Sequence, residues 1–330
     1  MKRASIFATA ALLLVAAAHA APVLPSSAAW VEIPVDELRA RYDTLWAVSD
    51  VHGRLKEFEA LLLASGLAVD DGERLRWNPA ARRQLLVFGG DLIDGGKDSV
   101  GTVLLVEALQ EQAAQAGSRV VFLLGNHEAE FLANPRSASR KLLASAFRRS
   151  AFRSAKRVPG DQMDATAVVK FLRTLPVAAV IGTWLFAHSG YVESDPADTR
   201  SYFAHLDAAI AKGDYSPLLE RSSILESHNW WKSRRKRKHE RKVLRELGLN
   251  GLVFGHDPDA LVDAAVAMDR DGWMTKLDTG LKERRSKGML LRCDVAAIVR
   301  GSELVMSDGS GSSTCRALSP DGSMRSLPVE

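Results

Sequence analysis

Five short polar clusters hold the side chains of this sequence that could do chemistry. They are Asp50-Val51-His52-Gly53, Gly90-Asp91-Leu92-Ile93-Asp94, Gly125-Asn126-His127-Glu128, His188-Ser189-Gly190 and Gly255-His256. Together they offer carboxylates at Asp50, Asp91 and Asp94, an amide at Asn126, and imidazoles at His52, His127, His188 and His256. Neutral imidazole and carboxylate suit manganese, iron, zinc and similar ions. A single histidine after an apolar run is ordinarily a polar loop residue. Five such clusters in one chain need another explanation, because unpaired buried carboxylates and imidazoles are expensive. Shared coordination of metal supplies one. The Asp-x-His spacing adds a geometric expectation. Two residues apart on a strand, Asp50 and His52 point the same way and could grip one ion.

The elements that must position these groups can be read from what precedes them. Leu45–Val48, Leu85–Phe88, Val120–Leu124, Trp184–Ala187 and Leu252–Phe254 are short apolar runs that end at the clusters, the pattern of buried strands. Leu55, Phe58 and Leu62 have helical spacing after the first run. Val100–Ala116 reads as a second helix, with Asp98 or Ser99 as N-cap and Gly117 as its stop. Alternation of strand and helix predicts an α/β sheet with functional loops at the carboxyl ends of its strands. The rhythm breaks at about 134–176, which reads as a mostly helical insertion or cap beside the site. Strand-like runs return from Trp273 to Met306, and the Gly/Ser-rich stretch 308–313 reads as a flexible turn or tail.

Composition is that of a globular chain, 46% hydrophobic and 25% charged over 330 residues. It excludes wholesale disorder and collagen-like or coiled-coil repeats. The N-terminus stands apart. Lys2-Arg3, the apolar run Ile6–Ala18 and Ala18-His19-Ala20 have the order of a cleaved signal peptide, so residues 1–20 are expected to be removed. That run is shorter than the ~18–20 residues that span a bilayer. The expected location is periplasmic or secreted. Without Lys2 and Arg3 the formal charge falls from +4 to +2, too mild to call for nucleic acid. Cys293 and Cys315 could pair in an oxidising compartment or stay as thiols, and spacing does not decide. Arg136–Arg157 holds eight basic residues and no acid, and Lys232–Lys242 holds eight and one acid. The ordinary reading of such a run is a solvated helix face; the other is recognition of an acidic substrate.

Taken in order, the five clusters resemble the signature of the calcineurin-like metallophosphoesterases. Within that superfamily the pattern is similar to the phosphoprotein phosphatases, and nearest to the bacterial Shewanella-like branch. The resemblance runs from about Leu45 to Gly280 and includes Leu277-Asp278-Thr279-Gly280. It implies a four-layer α/β sandwich, two central β-sheets flanked by helices, as one domain over residues 21–330. It also implies two divalent or trivalent metal ions (Mn, Fe or Zn). Asp50 and His52 would hold the first, Asp91 would bridge both, and Asn126, His188 and His256 would complete the second. Metal-activated hydroxide would attack phosphorus in line with the leaving group. His127 would protonate the leaving oxygen, and Asp94 would fix the tautomer of His127.

Departures from the family pattern narrow this expectation. Asp94-Gly95-Gly96 stands where the phosphatases carry Asp-Arg-Gly, so a bidentate ligand for phosphate oxygen is missing. Trp230-Trp231-Lys232-Ser233-Arg234 resembles the Trp-Tyr-Arg region of the Shewanella-like branch, which makes Arg234 a candidate phosphate ligand and Arg235 its rival in register. Pro258 stands where the wider superfamily often has a second histidine, which favours the phosphatase ligand set over the diesterase set. The expected function is metal-dependent hydrolysis of phosphate monoesters, with Ser/Thr or Tyr phosphoproteins among the substrate classes. The alternative enzyme is a nucleotide or dinucleotide polyphosphate hydrolase. The alternative of another class is a non-catalytic module that binds metal or phosphate. The expected partner is a phosphorylated protein or small molecule, with no nucleic acid and no membrane span after signal cleavage.

Overall fold

Each of the five apolar runs forms a strand that ends no more than two residues short of its polar cluster; the third stops at Phe122, short of Leu123 and Leu124. A computed structural model describes residues 27–134, 164–282, 286–307 and 313–330. One six-stranded sheet runs in the order β1 (Trp30–Ile33), β7 (Ala178–Ile181), β8 (Trp184–Ala187), β9 (Gly251–Phe254), β11 (Met274–Lys276), β10 (Ala267–Met268). The other runs β16 (Met324–Ser326), β15 (Arg316–Leu318), β12 (Leu290–Asp294), β2 (Thr44–Val48), β5 (Gln84–Phe88), β6 (Arg119–Phe122). Two hairpins lie outside them, β3 (Ala68–Asp70) with β4 (Leu75–Trp77) and β13 (Val299–Arg300) with β14 (Glu303–Leu304).

Both sheets are mixed, and side-chain alternation separates their two faces. Leu45, Ala47, Leu85 and Val87 of one sheet meet Ala179, Ile181, Phe186 and Val253 of the other in a shared inner core. Trp46, Val48, Leu86 and Phe88 point the opposite way, into the core that holds Phe58, Leu61 and Leu62 of α2 (Leu55–Ser65) and Val103, Val106 and Leu109 of α3 (Ser99–Gln115). Leu185, Ala187, Leu252 and Phe254 share that outer core with α6 (Thr199–Ile210) and α7 (Arg234–Glu246), through Phe203, Leu206, Val243 and Leu244. The layers are therefore helix, sheet, sheet, helix. Fully burying each Val, Leu, Ile or Phe among them contributes roughly 1.5–3 kcal/mol. α1 (Val35–Arg41) and the one-turn α8 (Val295–Ile298) add Leu38 and Ile298 to the inner core.

Register carries the clusters to one place. β2, β5 and β6 are parallel, with Val48 level with Phe88 and Phe88 level with Phe122. β8 and β9 are parallel too, with Ala187 level with Phe254. The carboxyl ends of the two sheets meet through a parallel bridge between Ser49 and Asp278.

α3 begins at Ser99 with Asp98 as its N-cap, whose carboxylate accepts from the Gly101 amide at 3.0 Å. Gly117 follows its last turn with φ +72°. Cys293 and Cys315 form a disulfide that joins β12 to the entry of β15. Closing a loop of 22 residues contributes about 3 kcal/mol on the chain-entropy account. Most of the proposed insertion, including the basic stretch 136–157, lies outside the described residues, as do the leader and 308–312. Its last part is helical, α5 (Asp164–Leu172). No helix among the described residues is long and apolar enough to cross a membrane.

Candidate metal centre

The backbone aims the site by an unusual route. β2 ends at Val48, so Asp50 and His52 lie beyond it and strand alternation does not orient them. Instead Asp50, His52, Asp91, Asp94 and His256 all take left-handed conformations, with φ of 59°, 49°, 57°, 62° and 67°. That region costs an L-residue about 1–2 kcal/mol, and the surrounding hydrogen bonds hold it in place. The amides of Asp50, His52 and Gly53 donate to the carbonyls of Gly90, Asp91 and Leu92 at 3.0, 2.8 and 2.6 Å, which zips the first two clusters together. Thr279 Oγ1 donates to the Asp50 carbonyl at 2.8 Å. Two glycines make room for carboxylates: a Cβ on Gly125 would stand 2.1 Å from Asp91 Oδ1, and one on Gly255 would stand 2.1 Å from Asp50 Oδ2.

The structure brings together Asp50, His52, Asp91, Asp94, Asn126, His127, His188 and His256. Asp91 sits between two groups. On one side, His52 Nε2 lies 3.3 Å from Asp91 Oδ2 and 3.8 Å from Asp50 Oδ1. On the other, His188 Nε2 lies 3.4 Å from Asp91 Oδ1, 3.0 Å from Asn126 Oδ1 and 3.1 Å from His256 Nδ1. Tautomers follow from the far side of each ring. His52 Nδ1 faces the Asp94 carbonyl at 2.7 Å, and His188 Nδ1 faces the Gly89 carbonyl at 2.9 Å. Donation there leaves both Nε2 lone pairs turned into the cluster, as metal-binding histidines require.

A cation fits this donor set. Lone pairs of carboxylate, amide oxygen and imidazole converge at separations typical of atoms sharing an ion held at ~2.0–2.2 Å. The electrostatics agree. Burial alone would lower His188, but Asp91 and then Asp50 outweigh it and push the ring up to about 10. Burial, then His188 and His228, drives His256 down to about 2. Burial raises Asp50. Burial also opposes ionisation of Asp91, yet His188 and His52 hold its carboxyl well below the ordinary range. Negative charge that draws a proton onto a buried histidine is the charge a metal ion would neutralise.

His127 lies in the first turn of α4 (Asn126–Ala133). Its Nδ1 lies 3.2 Å from Asp94 Oδ2, and its Nε2 lies 3.8 Å from Asp91 Oδ2. Lys282 Nζ donates to that same Nε2 at 2.9 Å. Three participants escaped the sequence reading. Glu128 is fully buried and accepts from the amides of Asp91, Leu92, Ile93 and Gly125 at 2.8, 2.8, 3.1 and 2.8 Å. Burial and then Asp91 push its carboxyl up to about 7. Its place in Gly-Asn-His-Glu was the available signal. His228 lays its ring 3.9 Å from that of His256, and with Glu226 forms a further group of possible ligands. Lys282 carried no signal beyond its nearness to Leu277–Gly280.

Arg234 is exposed and lines a cleft with Arg237, Lys238, Arg241, Trp273 and Glu330; none of the cluster residues lines that cleft. The tryptophans before it have packing roles. Trp230 Nε1 donates to the Ser189 carbonyl at 3.1 Å, and Trp231 Nε1 donates to Asp257 Oδ2 at 2.8 Å.

Residues 44–264 match the calcineurin-like phosphoesterases, and the chain belongs to that family. It is 28% identical over 174 residues to a symmetrical bis(5'-nucleosyl)-tetraphosphatase of Methylococcus capsulatus, covering 52% of this chain and 51% of that one. It is 29% identical over 86 residues to Shewanella-like protein phosphatase 2 of Arabidopsis thaliana, covering 26% and 21%. The chain thus spans about half, or less, of the length of these curated relatives. Its fold is similar to that of the cold-active protein-tyrosine phosphatase of a psychrophilic Shewanella, with TM-score 0.65 and 18% identity over 91% of this chain and 82% of the other. A serine/threonine phosphatase of Saccharomyces cerevisiae shares it at TM-score 0.57 and 16% identity, over 88% and 84%.

Proposed function

We propose that this protein hydrolyses phosphate monoesters at a pair of metal ions held by Asp50, His52, Asp91, Asn126, His188 and His256. One observation carries the proposal: the Asp91 carboxylate lies between two converging sets of lone pairs, 3.3 Å from His52 on one side and 3.4 Å from His188 on the other. Bound cations supply charge neutralisation at the phosphoryl group and ionise water at neutral pH. The rest falls to the protein. His127 gives a proton to the leaving oxygen from Nε2, and Asp94, on the opposite ring nitrogen, fixes the orientation of the ring. Glu128 keeps the Asp91 loop in its strained shape through three amides and holds the Gly125 amide at the start of its own helix. Manganese, iron and zinc all suit the donors.

Phosphoproteins are the first substrate class we propose. Dinucleotide polyphosphates are the second, favoured by the longer match to the tetraphosphatase. We also propose that the protein is exported; the leader-like N-terminus and the Cys293–Cys315 disulfide support this. The test is a metal-defined activity panel. Protein stripped with EDTA should lose turnover of p-nitrophenyl phosphate and regain it with manganese, iron or zinc. Stripped protein, verified by elemental analysis, that turns over at the full rate overturns the metal-dependent reading. Phosphopeptides, dinucleotide polyphosphates and phosphodiesters at equal concentration then rank the substrates.

A further inference from the structure

Gly95, next to Asp94, presents no side chain to the wall of the site. It has φ +119°, and a Cβ built on it would stand 3.3 Å from His52 Cβ and 3.3 Å from Lys282 Cγ. The stem of Lys282 thus runs past the position where Gly95 presents no side chain. Its ammonium reaches His127 Nε2 at 2.9 Å, the atom that faces Asp91 Oδ2 at 3.8 Å. The lysine is not stranded on a remote loop. Two residues upstream Gly280 donates to Asp278 Oδ1 at 2.9 Å, Thr279 holds the Asp50 carbonyl, and Asp278 bridges to Ser49. Arg54 Nη2 donates to the Lys282 carbonyl at 3.3 Å. The segment that supports Asp50 therefore also sets where Lys282 begins, and the side chain itself is exposed.

We infer that Lys282 is a substrate-binding residue of this site, supplying to the phosphoryl oxygens the cation that Gly95 does not. The inference rests on the phosphoesterase reading above. The cluster itself is built of acceptors, and a phosphate dianion entering it needs donors of positive charge. An ammonium carries three N–H donors and can turn from His127 Nε2 to the phosphoryl oxygens, which frees that nitrogen to carry the proton the leaving oxygen takes. An anionic oxygen also competes well with an imidazole lone pair for it, because it adds the attraction of opposite charges to a hydrogen bond whose donor is charged in both cases. Lysine binds as a point charge and not as a bidentate fork. It follows that Lys282→Arg preserves binding.

The experiment titrates inorganic phosphate calorimetrically into manganese-loaded protein and follows p-nitrophenyl phosphate kinetics in parallel. Lys282→Ala should weaken phosphate binding and raise KM by about tenfold to a hundredfold, the range for one charge-assisted contact. Metal content should stay as in the wild type, because Lys282 is no ligand, and Lys282→Arg should stay within about threefold. Lys212→Ala, which removes the same charge beyond the exposed end of α6, should change binding less than about twofold. Unchanged phosphate affinity in Lys282→Ala overturns the inference, as does an equal loss in Lys212→Ala. A loss found in Arg234→Ala in place of Lys282→Ala assigns the phosphate to Arg234 and overturns it also. If wild-type protein turns over no phosphate ester, the phosphoesterase reading fails, and the titration still decides whether Lys282 binds phosphate.

Discussion

The loops that carry Asp50, Asp91, His188 and His256 and the helix α7 both concentrate charge, and they do so by opposite means. The loops bury theirs: Asp50, His52, Asp91, Asn126, His188 and His256 are all buried. They rely on left-handed backbone and on glycines that a methyl group would fill. α7 turns its charge outward in ordinary helical geometry. Ser233 caps it, Lys236 lies 5.0 Å over Tyr191, and Arg237 and Arg241 pair with Glu330 and Asp271, each at 3.4 Å. The cleft of about 530 Å³ beside it is lined by five cations and three carboxylates, yet it holds none of the buried histidines or carboxylates of the cluster. Charge density thus marks a solvated face on α7. Charge held against its desolvation cost marks chemistry in the loops. The one inward-facing acid of the basic run, Glu240, joins the two regions: it is fully buried and accepts from the Val192 amide at 3.0 Å, just past His188-Ser189-Gly190.

Glu128→Ala puts the largest strain on this contrast. It leaves four amides without their acceptor, at about 1–3 kcal/mol for each one that stays buried and unpaired. We expect a loss of at least about 3 kcal/mol in urea unfolding, together with loss of bound metal and turnover. A variant that keeps two metals per chain and the wild-type unfolding midpoint would show that the strained Asp91 loop holds itself, and the loops would then differ little from α7.

Much of the site was legible in the sequence because its residue types are rare in combination and sit at the ends of apolar runs. Asp50, Asp91, Asn126, His188 and His256 declared themselves that way. Their mutual distances did not, because they depend on register between strands far apart in the chain. The orientation of Asp50 and His52 was expected from strand alternation and comes from left-handed turns instead; backbone sign is invisible in a non-glycine residue. Glu128 was hidden because its partners are amides 35 to 37 residues upstream, which any residue offers. Lys282 was hidden by the 155 residues separating it from His127. The four-layer sandwich came from the resemblance, while the runs alone gave only alternation. The Cys293–Cys315 pairing waited on β12 and β15 being neighbours.

Glu240→Gln sharpens the comparison at the residue that links its two sides. Burial pushes this carboxyl from 4.5 in the ordinary state up to about 8 in the fold. Between those values the folded chain keeps a proton that the unfolded chain has lost, so its contribution falls as pH rises from about 4.5 to about 8. Glutamine resembles the protonated acid and does not titrate. The stability of Glu240→Gln relative to wild type should therefore increase with pH across that window, by at most about 1.4 kcal/mol per pH unit. Urea unfolding of both proteins at acid, neutral and mildly basic pH measures the gap. A gap that stays constant means that Glu240 ionises as if in water, and α7 then carries an inward negative charge that burial does not penalise.

The smallest expected effect is at Lys238, on the outer face of α7 and exposed in the basic cleft. Lys238→Ala should leave unfolding within about 0.5 kcal/mol of wild type, as exposed substitutions generally do. Turnover of p-nitrophenyl phosphate should also hold, because solvated charge is screened beyond ~8 Å at physiological salt. Only a large acidic substrate spanning cleft and cluster should register the change, as a higher KM at low salt that disappears at high salt. A tenfold loss on the small ester would mean that α7 acts on the reacting phosphate directly. The division between buried chemistry and solvated charge would then have to be redrawn with α7 inside the site.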